Sequence, residues 1–195
     1  MKQNIILPSI QASIAVKQAI LEDEVFLQKI EQAATMLCDA YRKDGKVLFC
    51  GNGGSAADAQ HIAAELSGRF YIDRPPLYAE ALHVNSSYVT AVANDYGYDM
   101  VFSRMVQAAG RPGDILVAIS TSGNSPGILN AIEAGREKGM QILGFTGATG
   151  GKMAGICDIL LNVPSKDTPR IQEAHILLGH IICQCVEKNL FPESH

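Results

Sequence analysis

The spacing of hydrophobic and polar positions changes near residue 45. Before that point, apolar residues recur every three or four positions, as they do on one face of a helix. The first such stripe contains Ile10, Ile14, Val16, Ala19 and Ile20. The second contains Phe26, Ile30, Ala33, Ala34, Leu37 and Cys38. The pattern predicts a helical hairpin over residues 1–44, whose apolar face must be covered by its own sheet or by another subunit.

From residue 46 onward, short apolar runs alternate with longer amphipathic ones. Strands are predicted at 46–50, 79–83, 114–119, 141–146 and 158–162. Helices are predicted at 54–69, 86–94, 98–109, 125–138 and 168–189. The third and fourth strands are almost wholly apolar, which is typical of strands buried on both faces of a parallel sheet. The alternation predicts an α/β fold, a three-layer sandwich of the doubly wound type around a mainly parallel five-stranded sheet.

Composition and charge narrow the class of protein. The chain has 195 residues, a net charge of −4 and five cysteines. No change in composition divides it, so one domain is expected over 1–195, with the α/β core and final helix at 45–195. The acidic balance disfavours nucleic acid as a partner, and no apolar run is long enough to cross a membrane. Without a signal-peptide pattern or paired cysteine spacing, a cytoplasmic protein with reduced thiols is expected.

Two strand-to-helix turns are rich in glycine and hydroxyl side chains. Cys50-Gly51-Asn52-Gly53-Gly54-Ser55 follows the first predicted strand, and Ser120-Thr121-Ser122-Gly123-Asn124-Ser125 follows the third. Ligands of such sheets bind at the carboxyl ends of the strands, where a helix N-terminus favours an anion. The second turn therefore predicts a phosphate site, although Ser125 before Pro126 could serve only as a helix cap. The first turn matches no nucleotide-binding fingerprint, and its glycines could serve only the turn geometry.

Histidine, glutamate and glutamine recur on single faces of two predicted helices. His61 and Glu65 are four residues apart, and Gln172 and His180 are eight apart on the final helix. Taken alone, a His/Glu pair on a helix also fits an exposed polar face. The four residues together could form a zinc site with room for a substrate oxygen. They could equally act without metal, as a carboxylate base and an imidazole acid.

As a set, these motifs resemble the sugar isomerase (SIS) fold and, within it, the phosphoheptose isomerase family. The resemblance extends from the N-terminal helices to about residue 190. It depends on residues 50–55, His61-x-x-x-Glu65-Leu66-x-Gly68-Arg69, Asn94-Asp95-Tyr96-Gly97, residues 119–125, and Arg170-Ile171-Gln172-Glu173-x-His175 with His180. Pro169 departs from the small residue expected at its position, but proline is well tolerated at the start of a helix.

The resemblance implies an activity and a set of ligands. It implies isomerisation of sedoheptulose 7-phosphate to D-glycero-D-manno-heptose 7-phosphate through an enediol(ate), the first step toward the heptose of lipopolysaccharide or other surface glycans. It implies a homotetramer with active sites near subunit interfaces, and one zinc ion per subunit at His61, Glu65, Gln172 and His180. The implied substrate contacts are Asn52, Gly53, Gly54, Glu65, Asn94, Asp95, Ser120, Thr121, Ser122, Ser125 and Gln172, with Arg69 as a further contact. As a hypothesis, Glu65 is the catalytic base and His180 the acid.

Two other functions stay open at this point. A sister group of the same fold binds the bacterial replication initiator instead of isomerising a sugar, and it lacks a carboxylate at the position matching Glu65. This chain has Glu65, which favours the enzyme. A sugar-phosphate sensor without turnover would use the hydroxyl-rich turn, but it would leave the His, Glu and Gln side chains without a role.

Overall fold

The computed structural model describes residues 4–192, so residues 1–3 and 193–195 at the ends of the predicted domain lie outside it. The helices are α1 (Ile6–Leu21), α2 (Glu24–Arg42), α3 (Gly54–Ser67), α4 (Ser86–Tyr96), α5 (Val101–Ala109), α6 (Pro126–Glu137) and α7 (Thr168–Leu190). The strands are β1 (Val47–Gly51), β2 (Ala79–Ala81), β3 (Ile115–Ile119), β4 (Gln141–Thr146) and β5 (Ile159–Asn162). The predicted helices and strands are confirmed in type and order, with ends that differ by a few residues.

All five strands run parallel, in the order β2-β1-β3-β4-β5. Val47 of β1 pairs with Ile115 of β3, and this register continues to Gly51 opposite Ile119. The order of the strands reverses between β1 and β3, and a parallel sheet leaves a crevice at the carboxyl ends of such a pair. The two turns singled out in the sequence follow β1 and β3, so they form the two sides of this crevice.

The sheet separates two layers of helices. Phe49, Val117 and Phe145 pack with α2, α3 and α7 on one face. Leu48 and Leu116, which alternate with them along the strands, pack with α4, α5 and α6 on the other face. Every residue of β1 and β3 is buried, and each large apolar side chain placed there contributes about 2 kcal/mol to stability. The predicted three-layer sandwich is confirmed.

The two N-terminal helices cover their apolar surfaces to different extents. The whole predicted stripe of α2 is buried in the layer that also contains α7. Helix α1 buries only Val16 and Ile20, whereas Ile10, Ile14 and Ala19 of the predicted stripe are exposed. An apolar strip of α1 therefore faces away from the rest of this chain.

The cysteines are free thiols in a largely buried environment. All five cysteines are free, and Cys38, Cys50 and Cys183 are buried. Burial raises the pKa of the Cys38 thiol to about 11 and that of Cys183 to about 12, so both stay protonated near neutral pH. Within residues 4–192, no helix combines the length and the apolar character needed to cross a membrane.

Candidate active site

The glycine-rich turn after β1 lets α3 begin close to α7. Gly53 has φ +57°, a left-handed conformation that glycine adopts without strain. A Cβ atom on Gly54 would lie 2.4 Å from Nε2 of Gln172 on α7, so only glycine leaves room for that amide. Three residues predicted to contact substrate, Gly53, Gly54 and Gln172, are thus neighbours at the edge of the crevice.

Asn52 connects the two turns of the crevice. Its Nδ2 donates to Oγ of Ser125 at 3.0 Å, and its Oδ1 accepts from the Tyr98 hydroxyl at 2.9 Å. Ser125 is the N-cap residue of α6, but its side chain makes no capping hydrogen bond to that helix. Sequence reasoning missed Tyr98, whose only signal is its position just after the Asn94-Asp95-Tyr96-Gly97 motif.

The turn after β3 keeps its hydroxyl groups close together. Oγ of the buried Ser120 lies 3.5 Å from Oγ of Ser122. Gly123 has φ +65°, and a Cβ there would lie 2.1 Å from the Gly150 carbonyl oxygen, so the turn packs directly on the one after β4. Thr121 and Ser122 line a cavity of about 270 Å³, which is also lined by residues 147–149, Ser165, Lys166 and Thr168. This arrangement can hold an anion through neutral donors.

Helices α3 and α7 bring three predicted catalytic or metal-binding residues together. Nε2 of His61 lies 3.0 Å from Oε1 of Glu65 and 3.4 Å from Nε2 of His180. The close approach depends on Gly179, because a Cβ there would lie 2.4 Å from Cδ1 of Ile62 on α3. The His61 side chain is 49% exposed and that of Glu65 is 23% exposed, so a ligand from solvent can reach both.

These converging atoms fit a zinc ion. Two imidazole nitrogens that face each other at 3.4 Å can place only one proton between them. A cation would satisfy both lone pairs and the Glu65 oxygen, since the three ligand atoms lie within 4.8 Å of one another. Two histidines and one glutamate are the protein ligands of one class of catalytic zinc site.

Gln172 precedes His180 on α7 by eight residues, and its amide contacts Gly54 at the start of α3. The close group of ligand atoms described above contains His61, Glu65 and His180. Ligation by Gln172 stays a prediction.

Asp58 adds a carboxyl group that the sequence interpretation had not assigned. It lies one turn before His61 on α3. Burial raises the pKa of Asp58 to about 6, and the neighbouring His61 lowers it in part. Its Oδ2 atom is buried and has no hydrogen-bond partner among the described residues. The only sequence signal for Asp58 is its spacing of three residues from His61.

Three other predicted substrate contacts lie at the surface. Asn94 and Asp95 are exposed at the end of α4, where Nδ2 of Asn94 donates to Oδ1 of Asp95 at 2.9 Å. Arg69 is exposed just beyond the end of α3. Among the described hydrogen bonds and ion pairs of residues 4–192, none joins these side chains to the His61, Glu65 and His180 cluster. Their contact with substrate stays a prediction.

Known proteins resemble this chain in sequence and in fold. Residues 10–147 match the SIS domain family. The chain is 57% identical over 182 residues to the phosphoheptose isomerase of Aneurinibacillus thermoaerophilus, covering 93% of this chain and 92% of that protein. It is 59% identical over 161 residues to the phosphoheptose isomerase of Rhodospirillum rubrum, covering 83% and 86%. A solved phosphoheptose isomerase from Neisseria gonorrhoeae has a TM-score of 0.90 at 45% identity, covering 96% of this chain and all of that one. The chain therefore belongs to the phosphoheptose isomerase family of SIS domain proteins.

Proposed function

We propose that this protein is an aldose–ketose isomerase that converts sedoheptulose 7-phosphate to D-glycero-D-manno-heptose 7-phosphate. The observation that carries the proposal is the convergence of His61, Glu65 and His180 near a crevice with a hydroxyl-rich turn. Relatives named phosphoheptose isomerase, at 57% and 59% identity, support this substrate. The product would enter nucleotide-activated heptose synthesis for lipopolysaccharide or other surface glycans.

In this proposal the two turns bind the sugar phosphate. The hydroxyl groups of the turn after β3 and the free N–H groups at the start of α6 hold the phosphate, through Ser120, Thr121, Ser122 and Ser125. Neutral donors suit a phosphate ester that must be released after each turnover. Contacts to the sugar come from Asn52, Gly53, Gly54, Asn94, Asp95 and Gln172, with Arg69 as a further contact.

The proton transfers are assigned to Glu65 and His180. The Glu65 carboxylate removes a proton from C1 of the ketose to form the enediol(ate), and it returns that proton to C2 to form the aldose. His180 moves a proton between the oxygens on C1 and C2, so the two carbons exchange oxidation states without any external reductant. His61, 3.0 Å from Glu65, orients the carboxylate.

We include one zinc ion per subunit, held by His61, Glu65 and His180, with Gln172 as the fourth ligand. When bound, it would act as a Lewis acid toward the substrate carbonyl. Glu65 can serve both roles, because a carboxylate has two oxygens and about four lone-pair sites. One oxygen can face the cation while the other accepts a proton.

The test is turnover of sedoheptulose 7-phosphate by purified protein, with and without zinc added after treatment with a chelator. Glu65→Gln should lower kcat by a factor of about 10² to 10⁴, the usual contribution of a general base. Glu133→Gln, on the exposed surface of α6, is the matched control and should keep full activity. Full turnover by Glu65→Gln would refute the base assignment. A wild-type protein inactive in both metal conditions would favour a sugar-phosphate sensor or an initiator-binding protein.

We also propose a cytoplasmic homotetramer with active sites near subunit interfaces. Support comes from the strip on α1, where five large apolar side chains are 53–68% exposed: Ile6, Leu7, Ile10, Ile14 and Leu21. Contiguous apolar surface of this kind is typical of protein–protein contacts. Light scattering after size-exclusion chromatography should give four times the 20.9 kDa mass of one chain. A mass of one chain would refute the tetramer.

A further inference from the structure

A buried ion pair holds the segment between α3 and β2 against α7. Nε of Arg74 donates to Oε1 of Glu187 at 3.0 Å, and both side chains are 0% exposed. Glu187 lies on α7 seven residues after His180, which places both residues on the same face of the helix. Charged side chains are buried this deeply only where hydrogen bonds satisfy them. The other hydrogen-bond partners of Arg74 and Glu187 therefore show which segments the ion pair holds in place.

The other donors of Arg74 bind the end of α3. Nη1 donates to the Leu66 carbonyl at 2.7 Å, and Nη2 donates to the Glu65 carbonyl at 2.8 Å. Carbonyls in the last turn of a helix have no partner within the helix. Arg74 therefore fixes the turn of α3 that carries the Glu65 side chain.

The carboxylate of Glu187 fixes an aromatic residue beside His180. Its two oxygens accept hydrogen bonds from the backbone N–H groups of Phe70 at 3.0 Å and Tyr71 at 2.9 Å. The Phe70 ring stacks on the His180 imidazole, with 5.5 Å between the ring centroids and 24° between the ring planes. The χ2 torsion of histidine has no sharp intrinsic preference, so the imidazole ring can adopt many orientations. A flat aromatic ring packed against one face of the imidazole restricts it to one plane.

We propose that Arg74, Glu187 and Phe70 are positioning residues for the active site. The ion pair holds the 68–76 segment, and the Phe70 ring orients His180 so that its Nε2 atom faces His61. The same pair fixes Glu65 through the end of α3. The consequence for turnover rests on the proposed isomerase function, whereas the orientation of His180 is a property of the fold.

A matched pair of variants tests the role of the ring. Phe70→Leu keeps apolar bulk without a flat ring, and Phe70→Tyr keeps the ring. Phe70→Leu should lower kcat for sedoheptulose 7-phosphate at least tenfold while KM changes less than threefold. It should also weaken zinc affinity about tenfold, as loss of a group that orients a metal ligand does. Phe70→Tyr should stay within threefold of wild type in all three quantities. Equal behaviour of the two variants would overturn the proposal.

The ion pair must be replaced as a unit. Removing Glu187 alone would leave the Arg74 charge buried and unpaired, which threatens folding, whereas apolar replacement of both partners is often tolerated. Arg74→Met with Glu187→Leu should fold cooperatively and lose kcat and zinc affinity as Phe70→Leu does. Adding Phe70→Leu to it should cause little further loss, because both changes release the same imidazole. Full activity and zinc affinity in the double variant, or fully additive losses, would contradict the proposal.

The Lys46–Asp114 pair provides a control. These side chains are 2.5 Å apart and only 20% and 4% exposed, and they lie at the opposite, amino end of the sheet. Lys46→Met with Asp114→Leu should lower the unfolding temperature without changing zinc affinity. A loss of zinc affinity equal to that of the Arg74 and Glu187 double variant would show a general effect of ion-pair removal and would overturn the proposal.

A spectroscopic measurement separates this proposal from the proposed function. In metal-free protein with isotope-labelled histidine, the carbon-bound ring protons of His180 should shift in Phe70→Leu, because the stacked ring above them is gone. They should stay near their wild-type positions in Phe70→Tyr. If wild-type protein fails to isomerise sedoheptulose 7-phosphate, the proposed function fails. The histidine signals and zinc affinities still decide the positioning role, since unchanged values in Phe70→Leu would refute it.

Discussion

Replacing Gly179 with alanine should separate the two helices that carry the candidate active site. The added Cβ would lie 2.4 Å from Cδ1 and 2.7 Å from Cγ1 of Ile62, whereas ordinary contacts are 3.4–4 Å. Ile62 is only 3% exposed, and a β-branched side chain in a helix strongly prefers one χ1 rotamer. The clash is therefore relieved mainly by moving α3 away from α7, by up to about 1 Å on the distances above.

The expected cost is small for stability and large for turnover. Overpacking a core costs about 1–3 kcal/mol in the free energy of unfolding. Alanine recovers about 1 kcal/mol of this, because glycine is the poorer helix former. His61 and His180 are the immediate neighbours of the clashing residues in sequence, so they move with the two helices. A displacement of about 1 Å between catalytic groups can lower kcat by about 10².

The assay measures kcat for sedoheptulose 7-phosphate together with the unfolding temperature. Gly135→Ala on α6 is the control, because it lies in the helix layer on the other face of the sheet. A Cβ there would lie 3.0 Å from Cδ1 of Ile142 on β4, and the change should leave kcat unchanged. Ile62→Ala combined with Gly179→Ala should recover part of the lost turnover, because the Ile62 Cβ is 3.9 Å from the added atom. Wild-type kcat in Gly179→Ala would refute the idea that this glycine sets the spacing of the site.

Two further predictions concern Tyr98 and His175. Tyr98→Phe removes the hydroxyl group that donates to Oδ1 of Asn52 at 2.9 Å and orients this side chain. In initial-rate kinetics KM should rise about fivefold, equivalent to about 1 kcal/mol, with little change in kcat. An unchanged KM would argue against this role of Tyr98. Burial lowers the pKa of His175 to about 4, from about 6.5 in an unfolded chain, so between these values the unfolded state binds more protons. Its contribution to stability is therefore complete above pH 6.5 and is lost as the pH falls toward 4, by about 2 kcal/mol between pH 7 and pH 5. Urea unfolding should show a smaller loss over this range in His175→Gln, and an identical loss would count against the assignment.

Much of the fold follows from local periodicity. The unbroken apolar run of β3 predicts a strand buried on both faces, and all its residues are buried. The predicted ends of helices and strands are least accurate where the local sequence pattern and the tertiary structure favour different boundaries. The predicted helix 98–109 starts with a 3-10 turn, Tyr98–Met100, after Gly97 at φ +93°. The edge strand β2 is shorter than predicted and has only three residues, Ala79–Ala81.

Spacing along a helix predicted part of the candidate site as well. His61 and Glu65 are four positions apart, and that spacing alone places them on one face of α3. The approach of His180 is a long-range property, and its sequence signal is indirect. Glycine inside a helix costs about 1 kcal/mol relative to alanine, so Gly179 beside His180 indicates a close helix contact without naming the partner.

The Arg74–Glu187 pair had no comparable signal, because 113 residues separate its members. Arginine and glutamate are mostly exposed in folded proteins. Glu187 continues the buried face of α7 after Cys183, but that spacing does not indicate Arg74 as its partner. Only the three-dimensional arrangement relates Glu187 to Phe70 and, through the stacked ring, to His180. Residues that touch a ligand repeat as motifs because their chemistry is fixed, whereas residues that orient them are determined by packing. A motif search therefore identifies His180 but passes over the groups that hold its ring in place.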